Sequence, residues 1–182
     1  MANSLFLLRH AKSSWKNTEI SDFFRPLNKR GRNGARLIGQ YMDKNQFIPD
    51  LVLCSAANRA IETISIIESC MPNKLKTYFL IDLYLASEAT ILNKIVQIDV
   101  PANSVLLVGH NPGIEAFFAR LMSDFSINLK NQKIKKYPTG ALSIFKVAAK
   151  KWADFNNKSV IFHDFVTPKS LKQENFTENN DN

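Results

Sequence analysis

The chain has 182 residues, 45% hydrophobic and 22% charged, an ordinary composition for a soluble globular protein with one substantial core. Its 24 lysines and arginines against 16 aspartates and glutamates leave a formal charge of +8, which suits nucleic acid, an anionic surface or a phosphorylated substrate without choosing among them. The two cysteines, Cys54 and Cys70, have no paired spacing, which excludes a disulfide framework or a cysteine zinc site and fits a reducing cytoplasm.

In chain order, the apolar run at residues 5–8 reads as a buried strand. It is too short for a signal-peptide core or a membrane span, and no later segment is long enough either, so no membrane contact is expected. The strand stops at Arg9 and His10. Residues 16–30 are polar, punctuated by Pro26 and Gly31, and read as a loop leading into an amphipathic helix over 32–45, where Ala35, Leu37, Ile38, Tyr41 and Met42 recur at helical spacing. A short buried strand at 51–54 follows and ends at Ser55; a second helix runs over about 57–70.

The spacing then predicts a strand over 76–80, a connecting loop over 81–86, and a helix that Ser87 caps and that carries Ile91, Leu92, Ile95, Val96 and Ile98. Residues 104–108 form the clearest buried strand, which breaks into Gly109-His110-Asn111-Pro112-Gly113 before a helix over about 114–122. Residues 128–137 read as a polar loop with four lysines, and 140–147 and 159–162 as closing strands. Residues 1–172 form a single domain on this reading, and 173–182 a polar, frayed tail.

Strands and helices alternate throughout, which predicts an α/β fold: a three-layer arrangement with a mostly parallel sheet flanked by helices on both faces. Right-handed crossovers bring the carboxyl ends of such strands to one edge, where ligands bind. Three of these ends carry unusual side chains: Arg9-His10, Asn58-Arg59 and His110. Two imidazoles and two guanidiniums with no obvious carboxylate cage describe a site for a phosphoryl group, with backbone donors from the helices that begin near Arg59 and after Pro112.

These segments also carry a resemblance. Leu8-Arg9-His10-Ala11-Lys12-Ser13-Ser14-Trp15, then Arg25-Pro26-Leu27, then the run from Leu53 through Asn58-Arg59 to Thr63, and Val108-Gly109-His110-Asn111-Pro112-Gly113 together resemble the histidine phosphatase superfamily, in particular its SixA-type phosphohistidine phosphatases. Asp82-Leu83-Tyr84-Leu85-Ala86-Ser87, Pro138-Thr139-Gly140-Ala141 and Pro168-Lys169 extend the match over nearly the whole chain. The resemblance implies a phosphoglycerate-mutase-like fold, no metal or other cofactor, and a covalent phosphohistidine intermediate.

Histidine attacks phosphorus only as the neutral imidazole, so Arg9 beside His10 should lower the histidine's pKa by charge repulsion and make His10 the nucleophile. Arg9 and Arg59 would neutralise the equatorial phosphoryl oxygens, and His110 would add a hydrogen bond. Arg25 matches a phosphate-contacting arginine of this branch, and Ser13 is a second candidate for substrate binding. Asp82, near where many relatives carry a proton-donating glutamate, is the candidate leaving-group acid; its other reading is a solvated loop carboxylate.

Each residue has a bland reading as well. His110 sits among ordinary turn residues, although its company with His10 favours a function. Arg59 opposes the helix dipole, a mild misfit that also favours one. Lys12, Ser13 and Ser14 either touch phosphate or are loop surface, and His163, with no partner motif, reads as structural. Cys54 has four residues between it and Arg59 rather than the five of a cysteine phosphatase loop, and is read as a buried strand-end thiol.

The expected substrate is a phosphohistidine on a protein, since short connections leave little sequence for a lid; small phosphate esters are the alternative. A non-catalytic module that uses Lys130, Lys133, Lys135 and Lys136 to hold nucleic acid or an acidic partner is the competing class, but a lysine cluster without interleaved aromatics is usually a solvated loop, so no nucleic-acid partner is expected. The oligomeric state is not legible.

Overall fold

The computed structural model describes residues 3–122 and 136–178, with side chains through 173. Six strands form one sheet in the order β3-β2-β4-β1-β5-β6: β1 is Asn3–Arg9, β2 Leu51–Ser55, β3 Thr77–Leu80, β4 Ser104–Gly109, β5 Leu142–Val147 and β6 Val160–Val166. The four strands β3, β2, β4 and β1 run parallel, whereas β5 lies antiparallel to β1 and β6 antiparallel to β5. The sheet is therefore mostly parallel, with an antiparallel pair where the crossover helices end.

Alternation within the strands divides the core. Leu5, Leu7, Leu53, Val105 and Leu107 face one side and pack with helices α3 (Glu88–Val96) and α4 (Gly113–Met122). Phe6, Leu8, Val52, Cys54, Leu106 and Val108 face the other, against α1 (Lys29–Lys44) and α2 (Asn58–Glu68), with Leu171 of α5 (Pro168–Glu178). Central strands buried on both faces are why they read as continuous apolar runs. Both layers of helix are present, as the alternation of elements predicts.

Several boundaries differ from the reading of the sequence. Helix α1 begins at Lys29 rather than 32, because the Asn28 side chain accepts the Gly31 N–H and caps the first turn. The polar stretch before it contains a 3-10 turn, Asp22–Phe24. Helix α5 reaches Glu178, past residue 173 where a polar tail was expected to begin. Tyr137, assigned from sequence to a polar loop, is fully buried; its hydroxyl donates to the Leu7 carbonyl (2.9 Å) and lies 2.7 Å from the Ser143 hydroxyl. Lys130, Lys133 and Lys135 lie outside the described residues.

Candidate active site

Strand register sets the level of the site. Arg9 pairs with Gly109 across β1 and β4, Cys54 pairs with Val108 across β2 and β4, and Ser55 pairs with Leu80 across β2 and β3, so all four parallel strands end at one edge. The next residues, His10 and His110, leave the sheet side by side with ring centroids 4.9 Å apart. A cavity of about 400 Å³ opens there, walled by Arg9, His10, Arg25, Arg59, Tyr84 and His110 together with Lys12, Ser13, Trp15 and Asp22.

His10 is buried and its tautomer is set by its backbone. Nδ1 lies 2.7 Å from the Ala11 carbonyl, which can only accept, so Nδ1 carries the proton and Nε2 keeps its lone pair. That lone pair meets the Arg59 Nε–H at 3.2 Å. Burial, more than charge, holds the imidazole neutral: its pKa is pushed down to about 3, first by desolvation and, against the raising effect of the Ala11 carbonyl, by Arg59, Arg9 and Arg25. Repulsion from Arg9 is thus a smaller contribution than the sequence suggests.

His110 is fixed by a residue that sequence reading missed. The Ser55 hydroxyl accepts the Ala57 N–H (3.3 Å) and lies 2.7 Å from His110 Nε2. His110 Nδ1 is buried with no hydrogen-bond partner among the described residues, and it is a donor toward the cavity in the tautomer that carries the ring proton there. Burial, the neighbouring His10 and Arg59 depress the pKa of His110 as well.

The arginines come from three separate elements. Arg59, at the start of α2, is 2% exposed, and Thr63 one turn later accepts the Ala11 N–H (3.0 Å) while donating to the Arg59 carbonyl (2.6 Å), tying α2 to the segment after His10. Arg9 donates to the Tyr137 carbonyl (2.6 Å), whose N–H is in turn held by Glu115 (2.8 Å). Arg25 is buried under Trp15, whose ring lies 3.5 Å from the guanidinium carbon. Of the candidates, His10, Arg9, Arg59, His110, Arg25 and Ser13 meet in this cavity.

Asp82 does not. Its carboxylate pairs with Lys94 at 2.6 Å and is 65% exposed, outside the cavity wall, because the short 3-10 turn at Ile81–Leu83 directs it toward α3. The carboxylate that does enter is Asp22, which accepts from Arg25 (2.5 Å), Arg59 (2.9 Å) and the Tyr84 hydroxyl (2.7 Å). Burial raises its pKa, but Tyr84 and the two guanidiniums outweigh that and keep it below the ordinary value. The candidate acid Asp82 is thus corrected: the carboxylate of this cavity is Asp22, which was not among the candidates. Nothing local marks Asp22, apart from its spacing of three from Arg25.

The buried side-chain polar atoms without a partner among the described residues are Arg9 Nε, Arg25 Nε and Nη1, His110 Nδ1 and Asn111 Oδ1, and every one belongs to a residue that walls this cavity. The three guanidinium nitrogens are donors in every state. Unsatisfied buried donors are costly, about 1–3 kcal/mol each, so their concentration around one imidazole marks an anion site. Among the described residues there is no group of three or more His, Cys, Asp or Glu side chains suited to a metal ion, and no helix is long and apolar enough to cross a membrane. Cys54 is buried with its thiol pKa raised by desolvation, as a strand-end structural thiol should be.

Comparison with known proteins identifies the family and the fold. The model of the histidine phosphatase superfamily (branch 1) matches residues 5–77. The uncharacterized protein ML1117 of Mycobacterium leprae is 31% identical over 166 residues, 89% of this chain and 100% of that protein. The crystal structure of SixA from Agrobacterium tumefaciens superposes with a TM-score of 0.78 at 27% identity, covering 92% of this chain and 99% of the other. A SixA structure from Nakamurella multipartitia has the same fold, with a TM-score of 0.79 at 24% identity over 92% of this chain and 97% of its own. With the matched segment supplying Arg9, His10, Arg25 and Arg59, and full-length agreement beyond it, the chain belongs to the histidine phosphatase superfamily, in its SixA-like branch.

Proposed function

We propose that the protein is a phosphatase that turns over through a phosphorylated His10 and removes the phosphoryl group from histidine residues of another protein. The observation that carries this reading is the neutral His10, its Nε2 lone pair turned to Arg59, beside buried guanidinium donors that have no partner among the described residues. In the first step His10 Nε2 forms a bond to phosphorus as the bond from phosphorus to the departing imidazole breaks. Arg9, Arg25, Arg59 and the Nδ1–H of His110 take the charge on the transferring oxygens. The positive charge that develops on the His10 ring is met by the Ala11 carbonyl at Nδ1. Water then attacks the phosphorylated His10, releasing inorganic phosphate and restoring the imidazole.

The substrate class follows from what protonates the leaving group. Asp82 is turned to Lys94, and Asp22 is held ionised between two arginines. An alkoxide leaves poorly without an acid, whereas a phosphorylated imidazole takes a proton on its own second nitrogen from solvent and leaves as a neutral ring. This favours a phosphoramidate over an alkyl phosphate ester.

The test compares release of inorganic phosphate from a phosphohistidine protein and from small phosphate esters at matched concentrations. Turnover of the phosphohistidine protein should dominate, an acid-labile, alkali-stable phosphoryl adduct should be trapped on His10, and His10→Ala should remove both without changing the circular dichroism spectrum. An active His10→Ala protein would overturn the mechanism.

A further inference from the structure

Beside the catalytic cavity lies a trough that the chemistry above does not use. Lys12 and Thr139, which wall the cavity, also wall a second depression of about 310 Å³ that reaches Arg30 and Lys169. Arg30, Gly34, Pro168 and Lys169 are shared in turn with a groove of about 590 Å³ that extends to Lys29 and Lys172. The trough thus runs from the phosphoryl site between the first turns of α1 and α5.

Its lining is of one sign. Lys12, Lys29, Arg30 and Lys169 are all exposed, and among the described residues no carboxylate lines either depression. Five other cations, Arg25, Arg32, Arg59, Lys94 and Arg120, each have an acidic partner within 3.1 Å. Lys12, Lys29, Arg30 and Lys169 have none among the described residues. Lys29, Arg30 and Lys169 moreover sit in first helical turns that contain no acidic residue, where the dipole disfavours a cation. Four like charges thus line one continuous trough without a carboxylate among the described residues to balance them.

Among the described residues no aromatic side chain lines the two depressions, so they offer no surface on which a base would stack. The shape and charge fit an acidic polypeptide instead. We propose that the trough is a docking site for the acidic segment flanking the phosphorylated histidine of a protein substrate, an inference that rests on the phosphatase reading above. It makes substrate choice depend on charge at a distance from the reacting atoms, and it steers acidic partners toward the cavity.

Two phosphohistidine peptides identical except for an acidic (Asp/Glu) or neutral (Asn/Gln) flank test the proposal. The full-length protein should prefer the acidic peptide in kcat/KM through KM, and the preference should decline with added salt. The double charge reversal Arg30→Glu with Lys169→Glu should cut the preference by about tenfold or more, whereas Arg30→Lys with Lys169→Arg should retain it. Binding of the unphosphorylated acidic peptide, followed by fluorescence anisotropy, should show the same pattern. Equal kcat/KM for the two peptides, a preference unmoved by charge reversal, or displacement of the peptide by a single-stranded oligonucleotide at lower concentration would overturn it. If neither peptide is hydrolysed yet the acidic one binds and is lost on charge reversal, the docking site stands and the phosphatase reading falls.

Discussion

At the residue scale the site depends on holding two histidines neutral. His10 is neutralised mainly by burial and has its proton placed on Nδ1 by a carbonyl; His110 is neutralised by burial and by its neighbours His10 and Arg59, and its Nε2 is held 2.7 Å from the Ser55 hydroxyl. The consequence is kinetic. A free imidazole is half protonated near pH 6.5, but burial holds the pKa of the folded His10 near 3, so under the proposed mechanism His10 stays neutral and able to attack as the solution is acidified. The acid limb of kcat/KM, measured where the protein is still folded and corrected for ionisation of the substrate, should fall below pH 5; a limb near 6.5 would refute the assigned environment of His10. Arg9, His10, Arg59 and His110 were legible because strand ends and helix starts carry them in local motifs. Asp22, Ser55, Tyr84 and Thr63 were not, since each matters through a partner more than 35 residues away, as in the 2.7 Å contacts of Ser55 with His110 and of Tyr84 with Asp22.

At the element scale the site is held by close approaches of backbone rather than by long side chains. Helix α1 begins against the segment after β1: the Asn28 N–H donates to the Lys12 carbonyl (3.0 Å), and a Cβ on Gly31 would stand 2.1 Å from that same oxygen. Glycine is required there because the obstacle is main chain and has no rotamer to change. Gly31→Ala should therefore cost about 1–3 kcal/mol in denaturant unfolding and lower kcat, since the displaced Lys12 lies two residues from His10. A variant with wild-type stability and turnover would show that the segment after His10 is not held by α1. Sequence periodicity identified α1 itself from Ala35, Ile38 and Met42, all buried, but placed its start late because Lys29, Arg30 and Arg32 give no amphipathic signal.

At the scale of the whole molecule, burying two neutral histidines links stability to pH. Both have folded pKa values below their unfolded value of 6.5, so between those limits the unfolded chain binds more protons than the folded one and stability rises with pH. Acidification from pH 7 should lower the melting temperature, beginning near 6.5, and His10→Asn should flatten the slope because one of the linked protons is removed; an equally steep slope in that variant would contradict the linkage. The depressed Asp22 adds a loss only at more acid pH, as its carboxylate protonates. Read alone, the sequence determined the layered α/β architecture, the family and the four residues at the heart of the cavity, because burial of central strands and punctuation at their ends are local properties of the chain. Tertiary structure alone decided that Asp22 enters the cavity while Asp82 turns to Lys94, that Tyr137 is core, and that Lys12, Arg30 and Lys169 share one trough. Those outcomes depend on which distant segments the sheet order brings together, and through-space contact leaves no period or spacing in a single chain.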